Sequence, residues 1–271
     1  MSMDKIERDL LEQITGLHDV PQGAYNIRAI AQAAGRNDTD LIHIVSKTDK
    51  PGIDIIIAPG TKNESVHIPV VLSQSGLKDL VYNDFYVGEG ADVTIVAGCG
   101  VHTETGEPAR HNGIHRFFLK PGSRVLYQEK HIGTGKGAGL RSIDPVTEAY
   151  LEENAVLEMD TAQIGGVDHT LRKTKATAAA GAKLRIRERI LTEGEQDART
   201  EFEVELAGEG SGADIVSRAV ARGKSHQEYG DAALIHEAAI GKIAGEQILK
   251  LRTLGLTEQE AEARIIEGFL S

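Results

Sequence analysis

The chain has 271 residues, with 30 basic against 41 acidic side chains, a net charge of −11, one cysteine and no tryptophan. So acidic a balance argues against nucleic acid or an anionic membrane as main partner, since both demand a basic footprint; no apolar run approaches the roughly 20 residues of a membrane span. The lone cysteine, Cys99, excludes an internal disulfide and fits a reducing, cytoplasmic compartment, and the polar start carries no secretory signal.

In chain order, residues 4–17 place Ile6, Leu10, Leu11, Ile14 and Leu17 on one helical face, with Gly16 near the end. This predicts a short amphipathic helix packed on the core. From residue 41 the texture becomes short alternating runs split by Gly, Pro, Asn and Asp. Leu41-Ile42-His43-Ile44-Val45 and Ile53-Asp54-Ile55-Ile56-Ile57 open the series, and Pro59-Gly60 marks a turn. Five segments then read alike: Gly90-Ala91-Asp92-Val93, Gly122-Ser123-Arg124-Val125, Asn154-Ala155-Val156-Leu157, Gly181-Ala182-Lys183-Leu184 and Gly212-Ala213-Asp214-Ile215. Their first residues lie 32, 32, 27 and 31 positions apart. Each joins a turn residue to a small one and enters an alternating stretch. Such a period of strand, turn and strand predicts stacked rungs, each burying its apolar face against its neighbours. The expected fold is mainly β, a parallel β-helix (solenoid) over residues 41–225, with Val93 and Ile95 on one face.

After Tyr229 the spacing becomes helical. Ile240, Ile243, Ile248, Leu251 and Leu254 recur before Gly255; Thr257-Glu258-Gln259-Glu260 reads as a capping box; Ala261, Ile265, Ile266, Phe269 and Leu270 form a second stripe. This predicts a C-terminal helical pair. The expected organisation is a helical segment at 1–22, a β-helix core at 23–229 and a helical region at 230–271.

Several motifs suggest chemistry. Residues 208–213 fit G-x-G-x-x-A, but the preceding Glu201-Phe202-Glu203-Val204-Glu205-Leu206 alternates charged with apolar, unlike a doubly buried Rossmann strand, so a solenoid turn is the better reading. Residues 133–139 are glycine-rich around Lys136. A phosphate loop needs a glycine where Lys130 stands and a hydroxyl where Gly137 stands, so a flexible loop is expected and no nucleotide. Cys99, His102, His111, His115 and His131 lie about one period apart or closer. Stacking could bring some together as a Zn or Fe site, and a metal-dependent enzyme built on them is the remote alternative; hydrogen-bonded structural histidines are the simpler one. His236-Glu237 follows the apolar Ala232 to Ile235 and is either structural or a metal or proton-transfer pair.

Gly23-Ala24-Tyr25-Asn26-Ile27-Arg28, Gly98-Cys99-Gly100-Val101-His102, Gly113-Ile114-His115-Arg116, the stretch from Ser217 to His226, above all His236-Glu237-Ala238 through Gly245-Glu246-Gln247, and the ending Glu267-Gly268-Phe269-Leu270 together resemble the SufB/SufD family, the scaffold components of SUF iron–sulfur cluster assembly. The likeness is to a short SufB-like form and covers nearly the whole chain. It implies a right-handed β-helix, pairing through that β-helix with a second copy or a related SufB/SufD chain, and a C-terminal helical region that binds the SufC-type ABC ATPase. It implies a scaffold and not an enzyme, with a transient iron–sulfur cluster. The family pattern has further strands and a cluster-linked cysteine before His236; here Tyr229-Gly230-Asp231 runs almost directly into Ala232. The ligand candidates carried over are therefore His236 and Glu237, with Cys99 as the one soft ligand in the chain. The alternative is a cluster-free, SufD-like subunit that only stabilises a complex.

Overall fold

The computed structural model describes residues 3–17, 20–230, 237–240, 251–252 and 256–270. Helix α1 (Lys5–Thr15) starts at a capping box: the Asp4 carboxylate accepts the Glu7 N–H at 2.8 Å, and Glu7 accepts the Asp4 N–H at 2.9 Å. It stops at Gly16, whose φ of 72° is left-handed. Two antiparallel hairpins follow, β1 (Ala24–Ala29) with β2 (Gln32–Asn37) and β3 (Ile42–Ser46) with β4 (Gly52–Ile57).

From there every pairing is parallel, and successive strands alternate between two sheets. Sheet A continues from β1 through β5 (Lys62–Leu72), β7 (Asp92–His102), β9 (Arg124–Thr134), β12 (Val156–Ile164), β14 (Lys183–Thr192), β16 (Gly212–Ala221) and β18 (Glu237–Ile240). Sheet B continues from β4 through β6 (Lys78–Val87), β8 (Ala109–Leu119), the broken strand β10 (Arg141–Ile143) and β11 (Val146–Leu151), β13 (His169–Ala178), β15 (Asp197–Leu206) and β17 (His226–Tyr229). The product is a right-handed parallel β-solenoid of about six turns. It begins earlier than residue 41, because β1 already joins sheet A beside β5. The antiparallel partners β2 and β3 flank the first rungs and end both sheets there.

The repeat is the corner leading from sheet B to sheet A. In each, the third turn residue is left-handed (Gly90 64°, Gly122 66°, Asn154 56°, Gly181 67°), a conformation that favours Gly and Asn. Its N–H donates to the next corner, as from Gly90 to the Pro121 carbonyl at 3.0 Å and from Gly122 to that of Glu153 at 2.9 Å. The small residue that follows (Ala91, Ser123, Ala155, Ala182) is sealed inside. The fifth corner differs from expectation. Its left-handed residue is Gly210, and Gly212 pairs with Lys183 rather than Gly181. The corner at 207–211 is one residue longer than its predecessors. The offset is two residues, so inward and outward parity is preserved.

Val93 and Ile95 are both buried on the inner face. The inner face of the tight-corner half is apolar, with Phe85 stacked on Phe117 at 4.6 Å among Leu119, Leu157, Met159 and Ile186. Outside, α1 lies along β7. Leu10 sits over Gly100 and Ile14 over Gly98, where a Cβ would come within 3.0–3.1 Å of them. At the other end, α2 (Glu258–Leu270) has the expected cap. The Glu260 side chain accepts the Thr257 N–H at 2.8 Å, and Thr257 Oγ1 accepts the Glu260 N–H at 3.3 Å. Ile266 packs on Val220 and Leu191, and Arg222 pairs with Glu262. Of the first expected C-terminal helix, Leu251 and Arg252 are helical and most of the rest lies outside the described residues; Ile240 closes β18 instead of starting a helix.

Candidate functional site: a polar seam inside the solenoid

Alternation along the strands turns charged side chains into the interior as well as apolar ones. In β9 the inward positions are Val125, Tyr127, Glu129 and His131; in β14 they are Leu184, Ile186, Glu188 and Ile190; in β13 Thr170, Arg172 and Thr174. Glu129, Thr161, Glu188 and Ser217 stand in register across sheet A, and Arg172, Thr200 and Tyr229 across sheet B.

These columns meet. Arg172 Nη1 donates to Glu129 at 2.7 Å, its Nε lies 3.2 Å from Glu188, and its Nη2 lies 3.3 Å from His131 Nδ1. The Tyr127 hydroxyl donates to Glu129 at 2.7 Å and sits 2.7 Å from His115 Nδ1, whose Nε2 is 3.3 Å from the Asn83 amide. On the other side Ser217 donates to Glu188 at 2.8 Å and lies 2.6 Å from the Tyr229 hydroxyl. From Asn83 to Tyr229 this is a continuous run of mostly buried polar groups, hydrogen-bonded to one another except where Arg172 meets Glu188 as an ion pair. Beside it, Asp79 takes Arg28 at 2.7 Å and His111 at 3.3 Å. Gly113 makes room for both rings: a Cβ there would lie 2.9 Å from His115 Nε2 and 3.4 Å from His111 Nε2.

The electrostatics follow from burial and pairing. Burial pushes the Glu129 carboxyl up, but His131 and Arg172 pull it well below the usual carboxylate range. Burial raises Glu188, and Arg172 with the Ser217 and Thr200 hydroxyls only partly offsets this. Burial lowers the His115 imidazole to about 4 and lowers His131 too, against the pull of Glu129, so both rings are neutral at pH 7. Asp79, raised by burial, is brought down to about 2 by its bonds from His111 and Arg28. The seam has at its middle Arg172, which keeps its proton, so protons do not pass along its whole length. It offers no activated nucleophile, because burial, with Asp79 and Glu129 nearby, pushes the Cys99 thiol far up.

Of the residues singled out from sequence, Cys99 and His131 are indeed neighbours one rung apart, and His111 and His115 share the interior with them. His102 stands apart at the end of β7, 2.8 Å from Thr134 and 2.7 Å from Glu104. Glu237 opens β18 in register with Val216 of β16; His236 lies outside the described residues. Among the described residues no group of three or more His, Cys, Asp or Glu side chains is arranged to hold a metal ion.

Most of the glycine-rich run 133–139 lies in the loop between β9 and β10, as expected, and its glycines meet other backbone closely. A Cβ on Gly137 would lie 2.4 Å from the Thr105 carbonyl oxygen, and one on Gly139 would lie 2.0 Å from that of Glu107. Its glycines let two backbone segments lie against one another. Likewise Gly208 fits against Ala180, where a Cβ would meet its nitrogen at 2.0 Å, so the G-x-G-x-x-A match is a solenoid corner. Glu129, Arg172 and Glu188 were overlooked in the sequence, although a signal existed: each is a charge at the apolar parity of an alternating strand.

Fold and interior together define a parallel β-solenoid with a charged seam in its core. The family described as "SUF system FeS cluster assembly, SufBD core domain" matches residues 81–229, more than half of the chain. The chain belongs to the SufBD family. It is 26% identical over 230 residues to an iron–sulfur cluster assembly SufBD family protein of Methanothermobacter thermautotrophicus strain Delta H, covering 70% of this chain and 55% of that one. An Archaeoglobus fulgidus protein of the same description is 26% identical over 276 positions, covering 87% of this chain and 72% of its own. A homologue from M. thermautotrophicus strain Winter is 25% identical over 240 residues, with 57% of its length matched. The chain thus spans little more than half the length of the two Methanothermobacter relatives. Among the described residues no helix is long and apolar enough to cross a membrane.

Proposed function

We propose that the chain is a cytoplasmic scaffold component of SUF iron–sulfur cluster assembly, not itself an enzyme, which works with a SufC-type ABC ATPase through its C-terminal helices. The observation that carries this reading is the SufBD core match across the solenoid from residue 81 to 229, joined to relatives described as iron–sulfur cluster assembly proteins. The solenoid pairs with a second copy or a related SufB/SufD chain. The ATPase docks on the capped C-terminal helical region, which the chain anchors to β16 through Ile266 and Arg222.

The cluster is cargo. One cysteine per chain means that two copies supply two thiolates, short of the usual four, so imidazole and carboxylate ligands must contribute. His236 and Glu237 are the candidates. Cys99 is a secondary one, since its protonated thiol is sealed in the core. That sealing, with the lack of a three-ligand group among the described residues, favours a second reading: a cluster-free, SufD-like subunit that stabilises the complex.

Two measurements separate these. Co-purification with a SufC-type ATPase, compared with a chain truncated after Gly241, tests the partner; equal capture of both would overturn it. Iron and acid-labile sulfide per chain after anaerobic reconstitution, in wild type, His236→Ala, Glu237→Ala and Cys99→Ser, tests the cargo. Loss in the first two supports the scaffold reading, and equal loading in all four favours the cluster-free one.

A further inference from the structure

The seam holds two carboxylates, Glu129 and Glu188, and among the described residues they face one fixed cation, Arg172. His131 and His115 do not add a second, since both rings are neutral at pH 7. Glu129 takes the larger share of the donors: Arg172 Nη1 at 2.7 Å, the Tyr127 hydroxyl at 2.7 Å and His131 Nε2 at 3.4 Å. Glu188, 2% exposed, has Arg172 Nε at 3.2 Å and the hydroxyls of Ser217 at 2.8 Å and Thr200 at 3.4 Å. Thr161, in register between the two carboxylates, brings no charge. The charged neighbours of Glu188 in β14, Arg187 and Arg189, point outward and pair with Asp214 and Asp160.

A buried carboxyl without a full counter-charge keeps its proton more readily than one in water. Here that proton has a defined partner. With Glu188 ionised, Tyr229 donates to Ser217 and Ser217 donates to Glu188. With Glu188 protonated the order reverses: Glu188 donates to Ser217, and Ser217 donates to the Tyr229 hydroxyl 2.6 Å away. Tyr229 ends β17, the last strand of sheet B among the described residues. That rung is short. Four residues, His226–Tyr229, pair with β15, and Gly230 adds one N–H to the Thr200 carbonyl at 2.8 Å. Its inward side chains are Gln227, which donates to Thr192 Oγ1 and to the Val220 carbonyl, and the half-buried Tyr229. In sheet A, Ser217 stands in register with Ala238 of β18, next to Glu237. The relay thus leads from a sealed carboxyl to the partly exposed end of the solenoid.

We propose that a proton on Glu188 latches the last rung, and that its loss to water as pH rises releases β17 and the neighbouring edge at β18. Once Glu188 is ionised, two carboxylates share one guanidinium in the core, and opening the rung brings water to Glu188. Burial raises the value of Glu188 in the paired rung, so the pairing is firmest at low pH, weakens as pH rises toward that value, and then levels. The proposal does not depend on cluster binding or on the ATPase. His226 also lies in β17 and pairs with Asp197 at 3.1 Å on the outer face, as His169 does, so the test separates the two sources. Hydrogen exchange of residues 222–230 in the full chain, corrected for the intrinsic rate, is followed from about pH 5 to about pH 9 in wild type, Glu188→Gln and His226→Asn. In wild type we expect protection to fall at least about threefold, by at most about tenfold per pH unit, and then to level. His226→Asn should keep this fall, and Glu188→Gln should abolish it. Infrared spectra of the wild type should show a buried protonated-carboxyl band that fades over the same pH range, a comparison that needs no variant to fold. Flat protection in wild type, a fall that survives in Glu188→Gln, a fall lost in His226→Asn, or a spectrum without such a band would each overturn the proposal.

Discussion

The two halves of the solenoid's interior are made by the same strands at the same parity, yet they are built of opposite materials. Next to the tight corners the lumen is filled by Phe85, Phe117, Leu119, Leu157 and Ile186; further along the same strands it holds Glu129, Arg172, Glu188, His115 and His131. Apolar filling is enough to hold rungs together, as the first half shows. A buried ion network is no more stabilising than well-packed apolar residues would be, because the desolvation of each charge offsets its pairing. Thr161 Oγ1 and Gln163 Nε2 are even buried without a hydrogen-bond partner among the described residues. The seam is therefore a poor device for stability, which makes it the first place to look for function in the β-helix itself.

The sharpest way to break this contrast is Arg172→Met. It strands two carboxylates in the core and should cost about 3–5 kcal/mol in denaturant unfolding. The triple change Glu129→Met, Arg172→Met, Glu188→Met removes all three charges and should recover most of that loss. A triple variant as unstable as the single one would show that the seam does hold the fold together. In the apolar half, Leu157→Ala should cost about 2–5 kcal/mol, and no second substitution in the seam should restore it. That difference in rescue, more than the size of either loss, distinguishes the halves.

pH separates them further. Glu188 has a raised value in the folded chain, so its contribution is complete below the ordinary glutamate range and is lost as pH rises through the folded value. Glu188→Gln should therefore flatten the decline in stability on the neutral side. Asp79 titrates at about 2 when folded against 3.8 ordinarily, so its contribution is present above 3.8 and is lost as pH falls toward 2. Asp79→Asn should remove that acid limb and lower the melting temperature at pH 7. Leu157→Ala should shift the whole pH profile down without changing its shape. The smallest effect is expected outside the lumen. Lys120 and Glu152 pair at 2.6 Å on adjacent corners, both about half exposed, and Glu152→Ala should cost under about 1 kcal/mol.

Much of the fold was legible because the period of the corners and the two-residue alternation are both written locally. A left-handed Gly or Asn followed by a small residue marks the corner wherever it stands, and the parity of Val93 and Ile95 follows from strand geometry alone. The cap at Thr257 was legible for the same reason, since both its partners lie within four residues. The fifth corner was placed two residues late because its left-handed residue is Gly210 while the Gly-Ala pair that resembles the other corners stands at 212–213, and an offset of two leaves parity unchanged.

The site was less legible. His236 and Glu237 came from resemblance, and Cys99 from its chemistry. The sequence by itself determined that Cys99 and His131 stand 32 residues apart, one period, and that Glu129, Arg172 and Glu188 sit at apolar parity. Only the tertiary structure decided that Arg172 reaches Glu129, 43 residues away on the opposite sheet, and Glu188 beside it. Register along one sheet is a matter of counting residues. Which side chains meet across the lumen depends on the distance between two facing sheets, and that is set by the summed volume of everything packed between them.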